Sequence, residues 1–375
     1  MQDDVSECPQ GTVEGYSAVF QAYTDMGIKA NVGLNIGDRK YIDKIPYIRE
    51  VFPEELIQKL NAQPEREQNL ALYREIIKLW NGKAGHKVVV STSAPQRCSD
   101  EYLLQAKGLA EEYDLPMHTH ILESRIQYCT GAEFYGESIV KHANRIGFLS
   151  ERLSVIHGVW MDEEDMKLLS EANATLICNP VSNLKLGSGI MNLLKMKENG
   201  VNVVLGTDGM SSNDGQNMFE AMKYAGLLQK VTDPDYRRWQ DSYSLLEMVY
   251  TNASKSLMRS KEVGTIEMGK AADIVIMDKS NVNFIPQNNL ENHLVYCENG
   301  ESVETVLCNG KKIYEKGNIL TVDEKDILRK INAKQEEFRE KFERTVKENK
   351  ALEKYLKIIY DRCAKEMDGM LCNLF

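Results

Sequence analysis

What most limits the fold of this chain is a repeating beat between residues 12 and 231. Residues 12–26 carry Val13, Tyr16, Val19, Phe20 and Tyr23 at helical spacing, and a short apolar run follows at 28–34. The same alternation then recurs. Strands are expected at 87–93, 115–121, 153–160, 175–180 and 201–208, with helices between them at 99–113, 162–172 and 215–230. Each strand is a near-continuous apolar run, the pattern of parallel strands covered on both faces. Repeated strand–helix units mean a parallel α/β sheet or a (β/α) barrel.

Beyond about residue 242 the character changes. One helix is expected at 244–254, followed by short strand signals around Ala272–Asp278 and two more runs flanking Asn309-Gly310, a strong hairpin signal. Residues 323–365 are highly charged, with Ile331, Phe338, Phe342 and Val346 as a thin apolar stripe. That segment reads as a solvated or edge-packed helix, with a partner-binding coiled coil as the alternative. The expected domains are therefore 1–255, a (β/α) barrel; 256–322, a small β domain; and 323–375, a helical extension.

Charge and composition exclude several classes. Forty-six basic against 56 acidic residues give a net charge of −10, which argues against a nucleic-acid partner. No apolar run is long enough for a membrane span, and the acidic start shows no secretory signal, so a cytoplasmic location is expected. The 8 cysteines have no C-x-x-C spacing and read as reduced thiols.

Residues 264–270, G-T-I-E-M-G-K, have phosphate-loop spacing, but Ala271 stands where a magnesium-binding hydroxyl belongs, and the segment reads as a turn. Four polar groups instead fall where expected strands end, the position at which barrels build active sites. They are His118, His120 and Glu123; His157; the loop Cys178-Asn179-Pro180-Val181-Ser182-Asn183; and Asp208. His118 and His120 share one strand face. Imidazoles and carboxylates at one barrel mouth suit one divalent metal, zinc by preference and iron as the alternative. Such a metal makes hydroxide available at neutral pH, and a nearby Glu can shuttle the proton.

Taken in order, H-x-x-E on one strand, His on the next, N-P-x-S-N-L-K-L-G-S-G and G-T-D-G-x-x-S-N-D resemble the amidohydrolase superfamily. The likeness is to the branch containing cytosine, guanine and S-adenosylhomocysteine/methylthioadenosine deaminases and triazine chlorohydrolases. It runs over residues 10–325 and includes A-P-Q-R-C-S at 94–99. The resemblance implies a (β/α)8 TIM-type barrel with a small β-sandwich domain. It makes His120 and Asp208 metal ligands, Glu123 the proton relay and His157 the group that orients hydroxide or polarises substrate. Ser182, Asn183 and His118 would bind substrate.

The family's first strand carries an H-x-H pair, and no histidine precedes residue 86 here. The resemblance therefore implies an N-terminally incomplete barrel of about six strands, lacking strand 1 and part of the β domain. Cys178 stands where the family commonly has His. The function implied is metal-dependent hydrolysis of a non-peptide carbon–nitrogen bond, deaminating a small nitrogen heterocycle. The alternatives are dehalogenation of the chlorohydrolase type, or an inactive fragment or half of a split enzyme. Alone, the chain is expected to aggregate or form a homo-oligomer, or to need the missing N-terminal segment in trans, because open sheet edges expose unpaired backbone.

Overall fold

The computed structural model describes residues 2–6, 11–60 and 66–367. All six expected strands are present: β2 (Ala30–Ile36), β3 (Lys87–Thr92), β4 (Met117–Ile121), β5 (Leu153–His157), β6 (Thr175–Cys178) and β7 (Asn202–Leu205). A seventh, β1 (Gln2–Ser6), pairs in parallel with β2 at the start of the chain. Its sequence, Q-D-D-V-S, carries no apolar run, so the strand signal was absent there.

Every strand is parallel to the next, and the order across the sheet is simply the chain order, β1 to β7. A doubly wound sheet would reverse its order partway; a barrel-type sheet does not. The helices between strands start where the sequence supplies caps. Thr12, Ser99, Ser124, Ser138 and Asp162 each accept a backbone N–H of the first turn from their own side chains.

The two faces of the sheet differ residue by residue. Leu34, Val90, Met117 and Leu153 are in register on one face, as are Val155, Leu176 and Val203. All are almost fully buried, and they pack with Phe20, Tyr73 and Leu103 of the covering helices. On the opposite face the register runs Asn35, Ser91, His118, Ser154, Thr175, Asn202. Strands that look uniformly apolar in sequence thus hide a polar interior layer.

A second, antiparallel sheet has the order β11 (Asn318–Ile319), β10 (Lys311–Glu315), β9 (Val303–Cys308), β8 (Ile274–Met277). The hairpin at Asn309-Gly310 joins β9 to β10, with both turn residues at positive φ, as a tight hairpin requires. Residues 264–270 form turns with no helix. The chain closes with helices Glu324–Asn332 and Gln335–Glu366. Only the far end of the second is anchored: Ile359, Cys363 and Met367 pack with Ile48, Phe52 and Cys129. Cys98, Cys129, Cys178, Cys297, Cys308 and Cys363 are free thiols, while Cys8 and Cys372 lie outside the described residues.

Candidate functional site

The strand ends bring four of the singled-out residues together. His120 is the fourth residue of β4, and its Nδ1 lies 2.6 Å from the Ser93 carbonyl oxygen just past β3. A carbonyl can only accept, so Nδ1 carries the proton and Nε2 keeps its lone pair. Metal-binding histidines are commonly fixed by such an outer hydrogen bond.

His157 ends β5, where alternation would turn it toward the helices, as Val155 is. A left-handed backbone, φ +78°, redirects it, and its ring centroid lies 5.5 Å from that of His120. Asp208 also adopts positive φ, +65°. Non-glycine residues in this region cost on the order of 1 kcal/mol or more, and such positions cluster at functional sites. Gly206 lets the approach to Asp208 form, since a Cβ there would come within 2.4 Å of Asn179 Oδ1.

Glu123 sits beyond β4 with Oε2 3.7 Å from His157 Nε2. Burial pushes its carboxyl pKa upward, and Asp208 adds to the rise, while His120 opposes it. Burial lowers His120 to about 4, with His157 adding to the effect, and burial also lowers His157. Both imidazoles are therefore neutral at pH 7, the state a metal or an accepting base requires. Burial would raise Asp208, but Ser182, His157 and the Gly209 N–H together hold it below its ordinary value.

Ser182 and Asn183 are buried one turn into the helix Pro180–Lys185. The Ser182 hydroxyl donates to Asp208 Oδ2 at 2.5 Å, and Asn183 Oδ1 accepts from His157 Nδ1 at 2.9 Å. His118 lies two residues deeper in β4, is 2% exposed, and has its pKa lowered to about 4 by burial.

One participant was missed by sequence reasoning. Gln127 donates through Nε2 to the His120 carbonyl at 2.8 Å and accepts the Glu123 N–H through Oε1 at 2.7 Å. It clamps the backbone on both sides of the β4 exit. Its signal was present as the Ser124-x-x-Gln127 helix-start pattern, although the amide reaches Glu123 and not the cap residue.

The donor set fits a divalent metal in part. His120 Nε2 and the Asp208 carboxylate are the right donor types with supported orientations, but a tetrahedral zinc needs four ligands. Among the described residues no group of three or more His, Cys, Asp or Glu is placed to hold a metal ion. The remaining donors would have to come from outside those residues or from solvent.

At the other end of the strands lies a cavity of about 540 Å³ lined by Lys29, Arg259, Lys261, Glu262 and Lys270 among others. Its cations have acidic neighbours: Lys29–Asp273 and Arg259–Glu262 at 2.8 Å, Lys270–Glu267 at 3.6 Å. No helix of the described residues is long and apolar enough to cross a membrane.

The sequence pattern of the amidohydrolase family matches residues 9–313. A 5-methylthioadenosine/S-adenosylhomocysteine deaminase of Caldanaerobacter subterraneus subsp. tengcongensis is 35% identical over 74% of this chain and 64% of its own length. A 5′-deoxyadenosine deaminase of Methanosarcina acetivorans is 32% identical over 72% of this chain and 62% of its own. The chain thus spans somewhat under two thirds of the length of these curated relatives. Among solved structures, an adenosine deaminase from Xanthomonas campestris with bound zinc superposes with a TM-score of 0.76 at 24% identity, covering 87% of this chain and 69% of that one. An atrazine chlorohydrolase from Arthrobacter aurescens complexed with zinc gives 0.75 at 20% identity, covering 85% and 69%. At these identities the structural likeness shows the shared fold.

Proposed function

We propose a function from one premise: this chain belongs to the amidohydrolase family. The reading is hydrolytic deamination of an adenosine-like heterocycle, with the chemistry at the C-terminal ends of β4, β5 and β7. The observation that carries it is the meeting of His120, Glu123, His157 and Asp208 there, two neutral imidazoles and two carboxylates pushed in opposite directions by their surroundings. A pair of titratable groups with diverging pKa values is the usual sign of divided acid and base roles.

His120 Nε2 and Asp208 would hold a divalent metal, zinc for preference. When bound, that ion lowers the pKa of water toward 7. Glu123, whose carboxyl pKa is raised by burial, is placed to take a proton and pass it to the departing amine. His157, oriented by Asn183, is placed to hydrogen-bond the substrate or the attacking water through Nε2. Ser182 keeps Asp208 ionised and aimed, and His118 forms the polar wall behind His120. The domain division 1–255, 256–322 and 323–375 and a cytoplasmic location belong to the same reading. The deaminase names of the relatives favour ammonia over chloride as the leaving group. Because this reading assigns two metal donors among the described residues, full activity is assigned to the chain supplied with further donors, in cis or in trans.

The test measures zinc content and ammonia release from 5′-methylthioadenosine and 5′-deoxyadenosine. It uses the chain alone and the chain fused to the part of a deaminase relative that lies outside the aligned region. Ammonia from either form, with close to one zinc per chain, supports the reading. Chloride release from a chlorotriazine without ammonia from any aminopurine nucleoside would replace it with the second reading. Zinc-loaded protein releasing neither product would sink both.

A further inference from the structure

The long helix Gln335–Glu366 leads two lives. One face of its last third, with Ile359 and Cys363, is buried against the body, but residues 335–351 are exposed at every position, as are most residues of the preceding helix Glu324–Asn332. Most helical stability in proteins comes from packing an amphipathic face against another element. This helix presents apolar side chains: Phe338 is 70% exposed, Phe342 58% and Val346 51%. Ile327, Leu328 and Ile331 extend the apolar surface on the preceding helix.

The order of residues along that face is self-complementary. At 100° per residue, Gln335, Phe338, Phe342, Val346 and Asn349 fall within a stripe about 80° wide centred on Phe342. Read outward from Phe342 in either direction, the stripe goes apolar (Phe338 or Val346) and then amide (Gln335 or Asn349). A parallel in-register match and an antiparallel match both set each type opposite its like, but the parallel one brings Arg339 to the side of Lys341 of the second copy, a like charge, and the antiparallel one does not. A two-fold axis at Phe342 places Phe338 against Val346 of the second copy and Gln335 against Asn349 of the second copy. It also places Arg339, on the rim of the stripe, beside Glu343 of the second copy, twice by symmetry. A self-complementary patch of this kind is what an isologous dimer needs.

We propose that this exposed arm pairs two copies of the chain through an antiparallel helix contact centred on Phe342. The contact is about 24 Å long, from about 16 residues at 1.5 Å each. It is at the small end of specific interfaces, so the dimer is reversible and depends on concentration. Because the arm continues a helix whose other end is anchored near Cys129 and Ile48, the contact joins two bodies through a segment outside that anchor.

The experiment is sedimentation equilibrium of the full chain over a hundredfold concentration range. The expected result is a monomer–dimer equilibrium. F338S/F342S, changed at exposed positions that support no core, should be monomeric throughout. R339E should weaken dimerisation about tenfold, and R339E/E343R should restore it, because the swapped pair is again complementary across the axis. A chain that stays monomeric, a dimer or larger species that survives F338S/F342S, or a double swap no better than R339E alone would each overturn the proposal.

Discussion

The two ends of the large sheet are both polar and both buried, yet they are built on opposite plans. At the starts of the strands, polar groups bond mainly to one another, with Asn31 Nδ2 left without a hydrogen bond among the described residues. Arg259 donates to Asn31 Oδ1 at 3.2 Å and to the Gly85 carbonyl at 2.8 Å; Asn202 donates to Thr175 at 2.9 Å; Ser154 and Ser256 pair at 2.8 Å. At the strand exits, His120, His157 and Asp208 each spend one side of their polar group on a positioning partner, and Glu123 reaches toward His157. The first arrangement is a closed floor that stabilises. The second keeps hydrogen-bonding and ligand capacity in reserve, held by left-handed backbone at His157 and Asp208. Buried polarity alone does not mark a site; titratable groups brought face to face do.

That contrast can be broken most severely at the exits. His120→Ala and Asp208→Ala each remove a proposed metal donor, and both should drop bound zinc to background and abolish turnover in the completed enzyme. Metal analysis showing unchanged zinc in both variants would refute the assignment. Glu123→Gln should keep the metal and lose the proton relay. General acid–base groups contribute about 10²–10⁴-fold, so kcat should fall by that range while zinc content stays near normal. Wild-type turnover with Gln at 123 would assign the relay elsewhere.

The floor should respond in stability and not in chemistry. Arg259→Ala strips the partner from Asn31 and from the Gly85 carbonyl, and leaving buried polar groups unpaired costs about 1–3 kcal/mol. Urea denaturation should show that loss with zinc affinity unchanged. A large fall in zinc affinity would mean the two ends are coupled. The smallest effect is a control away from both ends. Asp165, raised by burial to about 6, binds a proton in the folded chain that the unfolded chain, near 3.9, has already released. Its contribution to stability is therefore present below pH 4 and lost as the pH rises to 6. Asp165→Asn should flatten the stability–pH curve in that window, and an unchanged curve would remove Asp165 as its source.

Much of this was legible in the residue order. The strand–helix beat, the Asn309-Gly310 hairpin and the positions of His120, Glu123, His157 and Asp208 at strand exits follow from periodicity and turn chemistry, which are local properties. Gln127 was partly legible, since Ser-x-x-Gln announces a helix start, but its grip on Glu123 and His120 joins two sides of a loop and leaves no periodic trace.

What the sequence determined by itself is a barrel-type α/β chain with its chemistry at one end. Local spacing sets which residues are strand, helix or turn, and strand ends are where side chains escape the packed layers. The tertiary structure alone decided three things. It made Gln2–Ser6 a strand, although its residues carry no strand pattern, because β2 offers it a parallel edge. It turned His157 from the helix side to His120 by a positive φ that no two-residue alternation can encode. And it set the protonation of the site, because burial and the mutual approach of four groups shift each pKa, and neither exists until distant segments pack.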